Sequence, residues 1–191
     1  MHATVVTQDE SRRVLVDGEV AYAPASGVIT YVGPTRGPAA AGDLDAADAI
    51  VMPGLVNAHT HSAMTPLRGY SDDRNLQAWL AGIRAFEDMM TAADIRAGLQ
   101  LALAEMIHNG ITCFADMFFW NETLLGDVAS AGLRVLAAPA VFGCDAVGYR
   151  GASPQTGRDA LALTEKLATE FAGDAQVQIA FGPHAPYTCP P

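Results

Sequence analysis

No Cys-x-x-Cys pair occurs in this sequence, and its three cysteines, Cys113, Cys144 and Cys189, are an odd number. A disulfide framework is therefore not expected, and the thiols read as reduced, as in a cytoplasmic protein. Positive charge is scarce: 11 Lys and Arg stand against 21 Asp and Glu, a net charge of −10. That balance argues against nucleic acid or an anionic membrane as the main partner. No uncharged stretch reaches the ~20 apolar residues of a membrane span. The opening "MHATVVTQDESRR" is polar and has no signal-peptide core. Glycine signatures of dinucleotide or nucleoside-triphosphate binding are missing after every apolar run, and so is a helical H-E-x-x-H.

What is present is a globular composition, half hydrophobic and 17% charged. Residues 1–51 hold short β-rich runs, "TVVTQ", "RRVLVDGEVAY" and "GVITYVGP", with Asp17-Gly18 and Gly33-Pro34 as turn signals between them. From Met52 to Pro191 apolar runs alternate with helical patterns. "GLVNAHTH", "ITCFADMFF", "LRVLAAPAVFG" and "VQIAFGPHA" read as four strands buried on both faces. That implies a parallel sheet under helical cover. Between them, Ile95, Leu99, Leu103, Met106 and Ile107 fall at helical spacing. Thr91 with Asp94 forms a capping-box pattern, Thr156 with Asp159 another, and Gly110 and Gly132 suit helix stops. Open doubly wound sheets and closed (β/α)8 barrels both fit. Reactive side chains follow successive strands: His59 and His61, then Asp116, then Cys144 and Asp145, then His184. Such placement is the mark of a barrel's catalytic end.

His59 and His61 stand two apart at the end of a strand, so both imidazoles project from one face. Two imidazoles can share one ion at ~2.0–2.1 Å each. A tetrahedral site wants more protein ligands than two.

The stretch "PGLVNAHTHSAMTPLRGYSDD" resembles the opening strand and loop of the amidohydrolase superfamily. Trp79-Leu80, Glu87-Asp88, "FADMFF" and "GPHAPYTC" at 182–189 extend that likeness in order along the chain. Within the superfamily the sequence is most similar to the S-adenosylhomocysteine/methylthioadenosine deaminases and their chlorohydrolase relatives. The resemblance implies a β-sandwich beside a metal-dependent (β/α)8 TIM barrel. Residues 1–51 would then be part of the sandwich, and 52–191 the first four β/α units. It also implies one divalent metal, zinc or iron, held by His59 and His61 together with a histidine and an aspartate expected beyond Pro191. The proton-shuttling glutamate is expected there too. A metal-bound hydroxide would displace ammonia from an aminopurine or nucleoside-like ring, or chloride from a triazine-like one. A non-catalytic half barrel serving binding or assembly is the alternative of a different class. No lysine stands in "VQIAFGPHA", which favours the mononuclear branch.

On the same resemblance Glu87 grips ribose hydroxyls and His184 hydrogen-bonds the ring or the bound hydroxide; Trp79, a large flat aromatic, is a candidate to wall the pocket and stack on the heterocycle. The partners implied are a small heterocyclic substrate, the remainder of the barrel and further copies of the chain. The carboxylate-binding arginine of adenosylhomocysteine enzymes would fall near Pro139, where none stands; Arg150 and Arg158 are the substitutes to test.

Overall fold

The computed structural model describes residues 1–189, and the chain divides into two compact units, Met1–Gly54 and Leu55–Pro191. The first unit is one mixed sheet of four strands, β1 (Ala3–Val6), β2 (Val14–Tyr22), β3 (Ile29–Pro34) and β4 (Ile50–Val51), in the order β3-β2-β1-β4. Among the described residues this unit holds a single sheet, where part of a sandwich was expected. Asp17-Gly18 is not a turn. It lies inside β2, where the pairing passes from Ala3↔Gly18 to Val5↔Leu15 and three residues of β2 oppose two of β1. This is a β-bulge. Asp17 takes the left-handed conformation (φ 54°) that aspartate tolerates better than most side chains. Gly33-Pro34 likewise sits within β3, paired to Glu19 and Gly18. The chain reverses instead at Asp9–Arg12 and Ala23–Gly27, each closed by a backbone hydrogen bond of 2.8 Å.

The second unit begins with β5 (Leu55–Thr60) and a 3-10 helix (Ser62–Leu67). It continues through α1 (Leu76–Glu87), α2 (Ala92–His108), β6 (Ile111–Phe118), α3 (Glu122–Ala131) and β7 (Arg134–Val141). It closes with α4 (Gly157–Glu170), β8 (Val177–Ile179) and β9 (Gly182–Pro183). Every pairing between these strands is parallel, in the chain order β5-β6-β7-β8, with β9 also on β7. A doubly wound sheet reverses its strand order at a switch point. Here the order never reverses, so right-handed crossovers put each connection on the same side of the sheet, as in the wall of a barrel.

Both capping boxes form, at Thr91/Asp94 and Thr156/Asp159, and Gly110 and Gly132 adopt positive φ just past α2 and α3. Ile95, Leu99, Leu103 and Met106 are buried, packing α2 toward Phe114 and Phe118 of β6 in one core. Ile107 is 53% exposed. It falls some 120° round the helix from Ile95, on the flank of the apolar stripe. Burial of every strand on both faces fails at β5, an edge strand with Leu55 49% and Val56 66% exposed. Helix α1 has no counterpart among the expected elements; Asn75 caps it by accepting the Ala78 N–H.

Candidate metal and substrate site

His59 and His61 emerge where β5 ends. Their ring centroids are 5.0 Å apart and their planes cross at 80°. Register against β6 slips just there: Asn57 pairs with Phe114 but Thr60 with Asp116, so three residues of β5 span two of β6. Strand alternation alone therefore does not set the histidines' direction; for His61 a side-chain tie does. His61 Nδ1 lies 2.7 Å from the Met117 carbonyl oxygen. A carbonyl only accepts, so Nδ1 carries a proton, and in the neutral ring the lone pair is then on Nε2. That is the tautomer of a histidine metal ligand, fixed by its outer hydrogen bond. The donor set thus fits an ion that prefers imidazole nitrogen. Among the described residues no group of three or more His, Cys, Asp and Glu side chains is placed to hold one.

Behind the pair, Ser62 donates its backbone N–H (2.6 Å) and its hydroxyl to Asp116 Oδ2. Asp116 is 2% exposed, on the same side of β6 as Phe114 and Phe118, and burial raises its pKa. Its Oδ1 is buried with no hydrogen-bond partner.

A cavity of about 370 Å³ opens beside His61. One wall is the face of α1 carrying Trp79, Leu80, Ile83, Arg84 and Glu87. These positions repeat at helical spacing, so a single helix face supplies all five. The facing wall comes from the β7–α4 connection, with Phe142 and the buried Tyr149, and from His184 after β9. Phe142 and His184 rings lie 4.6 Å apart. His184 Nδ1 is 3.0 Å from Thr188 Oγ1, whose own proton goes to the Ala185 carbonyl. His184 is therefore the donor in that contact and its Nε2 is free to accept. Burial, with His61 and Arg84 nearby, lowers its pKa, which favours the neutral ring. Burial pushes Glu87 up to about 7, against the pull of Arg84. The Arg84 guanidinium donates to the Val147 (3.0 Å) and Gly148 (2.6 Å) carbonyls, tying the β7–α4 connection to α1. Its nearer nitrogen stands 3.9 Å from Glu87 Oε2.

The Amidohydrolase family profile matches residues 50–191. The chain belongs to the amidohydrolase family. A 5-methylthioadenosine/S-adenosylhomocysteine deaminase of Desulforamulus reducens is 38% identical over 196 residues, covering 99% of this chain and 43% of the relative. This amidohydrolase chain thus spans less than half the length of that curated relative. A crystal structure of an adenosine deaminase from Xanthomonas campestris with bound zinc superposes with a TM-score of 0.73 at 31% identity, over 92% of this chain and 40% of that one. The zinc complex of an atrazine chlorohydrolase from Arthrobacter aurescens matches with a TM-score of 0.71 over 95% of this chain and 45% of that one. At 20% identity that likeness speaks for the shared fold alone.

Within this amidohydrolase unit the structure gathers His61, Trp79, Glu87 and His184 around one cavity, with His59 beside His61. Cys144, Asp145 and Cys189 line a different cavity, beyond Phe142. Arg158 pairs with Asp145 at 3.1 Å and does not line the His61 cavity. Arg150 pairs with Asp88 at 3.6 Å, next to Glu87. Arg84, Phe142 and Tyr149 escaped the sequence reading. For Arg84 a signal existed: the spacing of Trp79, Ile83 and Glu87 defines a helix face that includes it.

Proposed function

We propose that this chain carries part of the metal and substrate site of a metal-dependent aminohydrolase acting on an aminopurine or nucleoside-like heterocycle. The observation that carries the reading is the convergence on one cavity of a histidine with a free Nε2, an aromatic wall and the carboxyl group of Glu87. His59 and His61 would hold a divalent ion, zinc by analogy with the relatives, and further ligands would come from the length of those relatives that this chain does not span. When bound, such an ion supplies Lewis-acid activation of water and of the ring substituent it faces.

The chain's own residues do the rest of what can be assigned here. Met117 holds His61 in its ligand tautomer. Trp79 and Phe142 offer flat apolar surface to a planar ring. His184 Nε2 can accept a hydrogen bond from a ring N–H or an amino group. Glu87, when ionised, can accept two hydrogen bonds, which suits a pair of vicinal hydroxyls. Those bonds favour the charged form and would draw its pKa back down on binding. Arg84 reinforces this by placing positive charge 3.9 Å from Glu87.

The test is product analysis of the zinc-loaded native protein against adenosine, 5-methylthioadenosine, S-adenosylhomocysteine and a chlorotriazine. Ammonia release that disappears in His59→Ala supports the proposal. Chloride release without ammonia would move the assignment to dechlorination. No turnover of any of them, with zinc bound, would leave a binding module.

A further inference from the structure

We propose that the buried Asp116–Ser62 contact is a positioning device for the metal pair, setting the ion affinity of His59 and His61 from behind the strand. The inference rests on the metal reading above and adds residues to it. Its first support is the register slip. Between Asn57↔Phe114 and Thr60↔Asp116 the β5–β6 ladder is interrupted, across the segment that carries His59. Bulges re-aim side chains, but they also give up the hydrogen bonds that would hold the new direction. Two adjacent residues of β6 restore them. Met117 takes the His61 ring proton at 2.7 Å, and Asp116 takes the Ser62 N–H at 2.6 Å together with the Ser62 hydroxyl. The His61 ring and the residue that follows it are thereby pinned to the neighbouring strand.

The second support is what Asp116 costs the fold. It lies among Leu99, Phe118 and Leu124, and its Oδ1 has no partner. A buried carboxyl with an unsatisfied oxygen is a poor stabiliser compared with an apolar side chain of similar size. Its two bonds go to a residue 54 positions earlier, adjacent to His61. The apolar surroundings make those bonds strong and directional. The arrangement sacrifices stability to fix one backbone position, and that position aims a ligand.

Zinc affinity of the full chain, measured by competition with a chromophoric chelator, tests the inference alongside the thermal midpoint of the metal-free protein. Asp116→Asn should weaken zinc binding ~10–100-fold, the range seen when outer partners of metal ligands are lost. Ser62→Ala should weaken it less, since the backbone N–H bond survives. Leu125→Ala, a fully buried change on α3, should lower the midpoint and leave zinc affinity within twofold of the parent. If Asp116→Asn does not fold, Ser62→Ala decides: unchanged affinity overturns the proposal. It is overturned equally if Leu125→Ala loses as much zinc affinity as Asp116→Asn. His59→Ala separates the two layers. If it binds zinc like the parent, the metal reading itself has failed; if it binds weakly while Asp116→Asn does not, only the positioning role has.

Discussion

Glu87 ends α1 with its side chain 12% exposed, and its neighbours pull in opposite directions. Burial and Asp88 raise its pKa, and Arg84 lowers it. Across the cavity the buried Tyr149 hydroxyl faces the same group, and His61 and His184 line the far side. The net position, about 7 against an ordinary 4.5, makes Glu87 the folded state's tighter proton holder. Stability from that proton is fully present below pH 4.5 and is lost as pH rises toward 7. Glu87→Gln removes the titration. The unfolding free energy of the parent relative to Glu87→Gln should therefore fall across that window, with a slope of at most ~1.4 kcal/mol per pH unit. Urea unfolding of both proteins from pH 4.5 to 8 measures it, and parallel curves would refute the assignment. Nothing in the sequence around "AFEDMM" announced this shift, because it arises from burial by residues of another loop.

At the scale of elements, the site depends on how closely α2 approaches the 3-10 helix that follows the histidines. A Cβ on Gly98 would stand 2.2 Å from the Ala63 carbonyl oxygen, and Thr65 donates to the Gly98 carbonyl at 2.6 Å. Gly98→Ala must push the two apart. Despite alanine's better helix propensity, it should destabilise by ~1–3 kcal/mol, the usual cost of overpacking. Equilibrium denaturation would show it, and a neutral or stabilising result would mean that α2 and the 3-10 helix are not locked together. The helices that sequence could read were those with local punctuation: Thr91 and Thr156 caps, Gly110 and Gly132 stops. Helix α1 lacks such punctuation apart from Asn75, and its apolar residues make sense only as one face, Trp79, Leu80 and Ile83 lining the cavity with Glu87. Asp17-Gly18 is ambiguous for a related reason: the same dipeptide serves a hairpin turn or a bulge, and the pairing strand β1 chooses.

For the whole molecule the expected consequence of the histidine pair is linkage. An ion that binds the folded chain and not the unfolded one stabilises by about 2.7 kcal/mol when free ion is a hundredfold above its dissociation constant. Zinc should therefore raise the thermal midpoint of the parent, EDTA should reverse the rise, and His59→Ala should show neither effect. A midpoint indifferent to zinc would count against ligation by these residues. No helix among the described residues is long and apolar enough to cross a membrane. The family assignment reaches residues 50–191, and the matched relative is more than twice this chain's length, so substrate and turnover are matters for direct experiment.

The sequence by itself determined the strand–helix alternation, the capping boxes and the histidine pair, because each depends on residues within a few positions of one another. Its ordered motifs also determined the family. The tertiary structure alone decided that strand order never reverses. It alone decided that β5 slips register at its histidines, that Met117 and Asp116 hold the segment in place, and that α1 brings Trp79 and Glu87 to face His184. Those outcomes hang on contacts between residues about 20 to 105 positions apart, which leave no local periodicity to read.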